Sequence, residues 1–137
     1  MRTSAITLAF CGSLLALPVS AAQWVKITDS KVSAIYVDTA SIKRTGDIVS
    51  AWYRRDFKRP MPSEKKLPYL SSRVLNYYNC ATREVAAAQW ITYEKPGGEG
   101  KKVSSDRVEP LAYGDIPLGE AGIDVYNFVC QPGKATK

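Results

Sequence analysis

Apolar and polar positions alternate along much of this chain. Residues 48–58, IVSAWYRRDFK, place Val49, Ala51, Tyr53, Arg55 and Phe57 on one face and Ser50, Trp52, Arg54 and Asp56 on the other, the two-residue period of a strand. The first set is apolar apart from Arg55; the second mixes Trp52 with a charge pair. Two shorter β-prone runs, QWVKI from Gln23 and SAIYVD from Ser33, come before it, and TASIKRTGD ends in a turn at Gly46 and Asp47. The proline-rich, charged run 59–68 reads as a loop, because too little chain lies on either side of it for separate domains.

The longest predicted hairpin joins residues 69–80 to residues 83–94, with its turn near Ala81 and Thr82. Strict alternation puts Val74, Tyr78 and Cys80 against Leu75 and Tyr77 in the first strand, and Val85, Ala87, Ile91 and Tyr93 against Ala86, Ala88 and Trp90 in the second. KPGGEGKK, 95–102, has glycines and lysines but lacks the spacing of a phosphate loop, so it reads as a hairpin tip. Both faces of the hairpin carry apolar side chains, and an antiparallel sheet usually shows one face to water. Such a sheet needs two covers, one a helix and the other a subunit or a ligand.

The helix candidate is 117–130, PLGEAGIDVYNFVC. Glu120, Asp124 and Asn127 form a narrow polar stripe, while Leu118, Ala121, Val125, Phe128 and Val129 form a wide apolar arc to bury against the sheet. Pro117 suits a first turn, and Gly119 and Gly122 weaken the helix by up to about 1 kcal/mol each. The fold class is therefore α+β, a meandering antiparallel sheet with one C-terminal helix packed on it.

Compartment decides what the cysteines are. Arg2, the apolar run 5–17 and the small residues up to Ala22 have the form of a secretory signal, too short to span a membrane. Cleavage is expected after Ala22, with Ala21 fitting nearly as well, so residues 1–22 are leader and 23–137 a single domain. Cys11 follows Phe10, where lipid attachment wants a small residue, so no lipid anchor is expected and Cys11 leaves with the leader. Cys80 and Cys130 remain, and an even pair in an oxidising compartment reads as a disulfide. Closing a loop of that length stabilises a fold by roughly 4 kcal/mol on the chain-entropy model.

The formal charge of +6 falls to +5 with the loss of Arg2, which favours anionic partners, and export demotes nucleic acid among them. Histidine is absent, which removes Ser-His-Asp and Cys-His nucleophile systems and imidazole metal sites. The acids are scattered singly, so neither enzymatic activity nor a metal or other cofactor is expected. Arg54, Lys58, Lys101 and Lys102, beside exposed aromatics, are the candidate ligand-binding residues; Cys80 and Cys130 are structural.

Trp24, the YVDTASI run 36–42, Trp52, SSRV from Ser71, NCATRE around Cys80 and the closing IPLGEAGIDVYNFVC form an ordered set that resembles the surface-adhesin protein E-like family of bacterial envelopes. The resemblance implies a sheet of about six strands, a C-terminal helix tied to it by a Cys80–Cys130 bond, and often a dimer. It also implies binding of host matrix or serum proteins, although the namesake is lipid-anchored and this leader has no matching lipid site. Three functions remain open from sequence. One is an envelope binding module for a protein or acidic polymer. The others are a periplasmic structural or inhibitor-like protein, and a small hydrolase or sugar-binding domain that stacks Trp52 or Trp90 on a ring.

Overall fold

The structure is a computed structural model that describes residue 16 and residues 21–131. Cys11 and nearly all of the expected leader lie outside the described residues, as does the chain beyond Gln131. Among the described residues eight strands form one antiparallel sheet: β1 (Trp24–Asp29), β2 (Ser33–Asp38), β3 (Lys43–Thr45), β4 (Ile48–Met61), β5 (Tyr69–Asn79), β6 (Glu84–Lys95), β7 (Glu99–Arg107) and β8 (Gly114–Asp115). The main path runs β1-β2-β4-β5-β6-β7, the expected six-strand meander. The two short additions, β3 on β4 and β8 on β6, were not anticipated.

Register follows the alternation seen in the sequence over β2, β4 and β5. Val37 faces Tyr53, Val49 faces Tyr78 and Ala51 faces Asn76, so one face collects Ile35, Val37, Val49, Ala51 and Tyr78. Against it lies α1 (Val125–Cys130), which adds Val125, Tyr126 and Val129 to the same buried cluster. Ile35, Val37, Val49 and Val125 have no exposed surface, and burying a side chain of this size is worth roughly 1.5–3 kcal/mol. Thr28 of β1 donates to the Asp124 carboxylate at 2.7 Å, and the Tyr126 hydroxyl donates to the Cys80 carbonyl at 3.2 Å. The Cys80–Cys130 disulfide, with Cα atoms 5.5 Å apart, ties the last residue of α1 to the end of the central strand β5.

Three expectations are corrected. Alternation in β6 breaks at a bulge opposite the Leu75/Asn76 step, where Asn76 pairs with Ala87 but Leu75 pairs with Gln89. The extra residue, Ala88, reverses the phase, so Val85 and Ala87 share their face with Trp90, while Ala86 shares the opposite one with Ile91 and Tyr93. The helix is also shorter than 117–130. The turn 120–124 has π geometry, α geometry begins only at Val125, and Leu118 is 98% exposed instead of lying on the buried arc. Gly119 and Gly122 account for the late start, since each lowers helix propensity in the first turns. Finally, β4 continues to Met61, into the run read as a loop.

The turns follow local chemistry. Asn79 accepts hydrogen bonds from the backbone N–H groups of Ala81 and Thr82, both at 3.1 Å, which closes the β5–β6 hairpin. Asp38 accepts from Ala40 N–H at 3.1 Å and from Gln23 N–H at 2.8 Å, so the acid of the YVDTASI run caps the turn and pins the start of β1. Ser41 of the same run accepts from Trp52 N–H at 2.9 Å.

Candidate functional site

The helix covers one face of the sheet. On the other, the helix-free face, Trp24, Tyr36, Trp52, Arg73, Leu75 and Tyr77 are all partly exposed. Its centre is a layer of arginines between aromatic rings. Arg54 and Arg73 are direct cross-strand partners on β4 and β5. The Arg54 guanidinium lies 4.2 Å from the Tyr36 ring centre and 5.1 Å from that of Trp24, and Arg73 lies 5.4 Å from both Trp24 and Tyr93. Flat guanidinium groups suit this use, because they stack on rings and are only weakly hydrated.

Two like charges side by side need an anion, and Asp56 supplies one. Arg54 donates through Nε and Nη2 to the two oxygens of Asp56, at 3.0 and 3.1 Å, in a fork in which both side chains are largely buried (12% and 17% exposed). Asp56 also accepts from Gly97 N–H at 3.0 Å, and Ser71 accepts from Gly98 N–H at 2.9 Å, so the KPGGEGKK tip folds back onto the layer. Gly98, at φ +71°, lies so close to Arg73 that an added Cβ would stand 2.5 Å from its Nε. That Nε is buried and has no hydrogen-bond partner. The carboxylate thus pairs with Arg54, while Arg73 lies against the Trp24 and Tyr93 rings.

The strand ends carry a second feature. The 30–32, 62–68 and 96–98 connections meet at one end of the sheet. Exposed there are Lys31, Lys58, Arg59, Lys65, Lys66, Lys95, Lys101 and Lys102, against the exposed acids Asp29, Glu64, Glu94 and Glu99. The opposite end, with the 39–47 and 80–83 turns and β8, balances Lys43, Arg44 and Arg83 against Asp47, Glu84 and Asp115. The chain's positive charge is therefore concentrated at one pole.

The sequence candidates divide between these features. Arg54 belongs to the aromatic layer and is neutralised by Asp56. Lys58 belongs to the basic pole, but its ammonium lies 2.9 Å from Asp29, which also holds Lys26 at 3.0 Å. The hydrogen bonds from Lys58 and then Lys26 hold the Asp29 carboxyl below its ordinary range, and Asp29 in turn raises Lys26. Lys101 and Lys102 are exposed on β7 at the same pole, with Lys101 bordering a small cavity beside Leu67 and Val103. Sequence reasoning missed Lys31, Arg59, Lys65 and Lys66, although KRP and SEKK stand together in the chain and were visible as a charge run. The two candidate stacking tryptophans lie on opposite faces, and Trp90 borders a cavity of about 460 Å³ with Tyr69, Ser104 and Asp106. Among the described residues no cluster of three or more acidic or cysteine side chains could hold a metal ion, and no helix is long and apolar enough to cross a membrane.

A single meandering sheet, sealed on one face by a disulfide-tied helix and stacked with arginine and aromatic side chains on the other, defines an α+β domain with a broad accessible surface. The chain belongs to the surface-adhesin protein E family, whose profile matches residues 24–131. It is thus an adhesin-like protein. Among solved structures it is similar to a selenomethionine form of protein E from Haemophilus influenzae, with 19% identity, 89% of this chain and 98% of that chain covered, and a TM-score of 0.59. A second crystal form of the same Haemophilus influenzae protein gives 16% identity, coverage of 85% and 94%, and a TM-score of 0.58. Protein E from a non-typeable strain gives 17% identity, coverage of 85% and 81%, and a TM-score of 0.56. At these identities the likeness is one of fold. No curated protein sequence matches the chain.

Proposed function

We propose that this protein is an exported envelope binding module whose basic pole docks on an acidic surface of a protein partner. The observation that carries the reading is the asymmetry of the sheet ends, with eight exposed cations against four exposed acids at one and a balanced set at the other. A concentrated field of one sign steers partners of the other and falls off with salt over a Debye length of about 10 Å. Lys101, Lys102 and Lys58 act in this pole together with Lys65 and Lys66; Arg54 acts indirectly, by shaping the layer beside it. The role is non-catalytic, with Cys80 and Cys130 as a structural bond. A second copy laid on the arginine face would supply the second cover that a two-sided sheet calls for.

Retention on a polyanion column tests the pole. The wild type should elute at clearly higher salt than a variant carrying Lys101→Glu and Lys102→Glu, while Lys43→Glu with Arg44→Glu, an equal change of charge at the balanced end, should change retention much less. Equal losses from both ends would reduce the effect to net charge and sink the reading. Protease treatment of intact cells decides where the partner is met. Cleavage with a periplasmic marker spared places it outside the cell, and protection until the outer membrane is opened directs the search to the periplasm.

A further inference from the structure

Asp38, the last residue of β2, is the only carboxylate among the described buried residues, at 8% exposed. Its Oδ1 accepts from the main-chain N–H of Ala40 at 3.1 Å, inside the turn Thr39–Ser41, and from that of Gln23 at 2.8 Å, just ahead of β1. Capping the turn does not require a charge, since a serine or asparagine oxygen serves such turns as well. Burying a carboxylate is costly, and a cation within hydrogen-bond distance offsets that cost.

The nitrogen that Asp38 holds is the one that the expected leader keeps in an amide. Residues 1–22 read as that leader, so its removal after Ala22 turns the Gln23 amide into the α-ammonium of the mature chain. The atom is already in place for this. The Gln23 carbonyl accepts from Thr39 N–H at 2.9 Å, and Trp24 opens the β1–β2 ladder opposite Asp38, so Gln23 is fixed on the side that stays. On the side that leaves, Ala21 and Ala22 are exposed and precede the first strand. Removal after Ala21, the other expected position, would leave an amide on Asp38 and carry the charge one residue further out, to exposed Ala22. Only removal after Ala22 puts the new charge on the atom already bound.

We propose that the Asp38 carboxylate is a binding site for the chain's own α-ammonium group, created when the leader is removed after Ala22. The neutral contact then becomes a charge-assisted one, shorter and about twice as strong. One consequence is chemical. An amino-terminal glutamine with a free amine cyclises: the α-nitrogen attacks its own side-chain Cδ, the Cδ–Nε2 bond breaks, and ammonia leaves behind an uncharged lactam. A nitrogen held as ammonium against Asp38 has no lone pair for that attack, so Gln23 stays open and charged. The other consequence is structural. Trp24, the next residue, packs its ring on the Arg54 and Arg73 guanidinium groups, so removal of the leader fixes one wall of the arginine layer. The inference rests on the reading of residues 1–22 as a leader and is independent of the basic pole.

Intact mass and amino-terminal sequencing of the protein recovered from the cell envelope give the first test. The chain should begin at uncyclised Gln23. A chain that keeps residues 1–22 would overturn the leader reading and this inference with it. A processed chain that begins anywhere else, or at the lactam, would overturn the capture alone. The second test follows release of ammonia over time at mildly alkaline pH in the folded protein, in the same protein in urea, and in Asp38→Asn, which keeps an oxygen for Ala40 but no charge. Cyclisation should be several-fold slower in the folded wild type than in either of the others. Asp38→Ser supplies a second uncharged cap should Asp38→Asn not fold. Equal rates in the folded and urea-unfolded wild type sink the proposal, as does a folded uncharged variant that keeps Gln23 open as long as the wild type does.

Discussion

The two faces of this sheet solve the same problem with different chemistry. Ile35, Val37, Val49 and Tyr78 on one face are sealed by α1 in the ordinary apolar way. On the other, Trp24, Tyr36 and Tyr93 pack on the guanidinium groups of Arg54 and Arg73, with Asp56 as counter-ion and a glycine turn as partial lid. Apolar burial is non-directional and tolerates relaxation. A stacked ionic layer depends on each ring, fork and backbone donor being in place, and its Trp24 and Tyr36 rings remain partly in water. The first face should therefore carry most of the stability, and the second should carry more of the specificity.

Losing the cover should cost most. Cys80→Ser with Cys130→Ser frees α1 and should lower stability by about 4 kcal/mol or somewhat less, a fall in melting temperature on the order of 10 °C or more by calorimetry. An unchanged melting temperature would mean that α1 holds its place without the bond. Adjacent residues of β2 give the sharpest contrast. Ile35→Ala should cost about 3 kcal/mol in urea unfolding, as a cavity in a sealed core does, whereas Tyr36→Ala on the arginine face should cost about half of that. Equal losses would erase the distinction between the faces.

Gly98→Ala should come next, at roughly 1–2 kcal/mol, because φ is positive there and the new methyl group collides with Arg73 Nε. If Arg73 simply moves aside, the loss will shrink to the backbone part alone. Alkaline titration should give the smallest effect and bear on the helix face. Burial raises the Tyr78 and Tyr53 hydroxyls above their ordinary pKa of 10.0. A raised folded pKa contributes stability that is complete below the unfolded value and lost as pH climbs past it, so a decline should begin near pH 10 and deepen as pH rises further. Tyr78→Phe should remove part of that decline.

Period-two alternation was enough to assign β2, β4 and β5 and to put Val49, Ala51 and Tyr53 together, because a sheet face is written directly in every second residue. It could not register Ala88, since an inserted residue is visible only against the partner strand, and everything after it in β6 changes face. The helix was misjudged at Leu118 because an amphipathic pattern says which side would be buried, not whether two glycines let the turn form. Arg54 and Asp56 were legible as neighbours on one strand. Their partners Trp24, Tyr36, Arg73 and Tyr93 come from four other strands, and cross-strand register is not written in one sequence. The convergence of the pole was hidden for the same reason, as Lys31, the visible charge run 58–66 and the lysines of 95–102 are three separate stretches that meet only where the loops converge.

The disulfide also sets how the molecule carries mechanical load. Tension applied at residue 131 passes through Cys130 directly into β5, a central strand paired on both sides, so α1 cannot be peeled away ahead of the sheet. Tension applied at residue 23 meets only the edge strand β1, whose hydrogen bonds to β2 open one after another. The domain should behave as a tether with a strong end and a weak end, and single-molecule pulling from each terminus would read the two rupture forces separately.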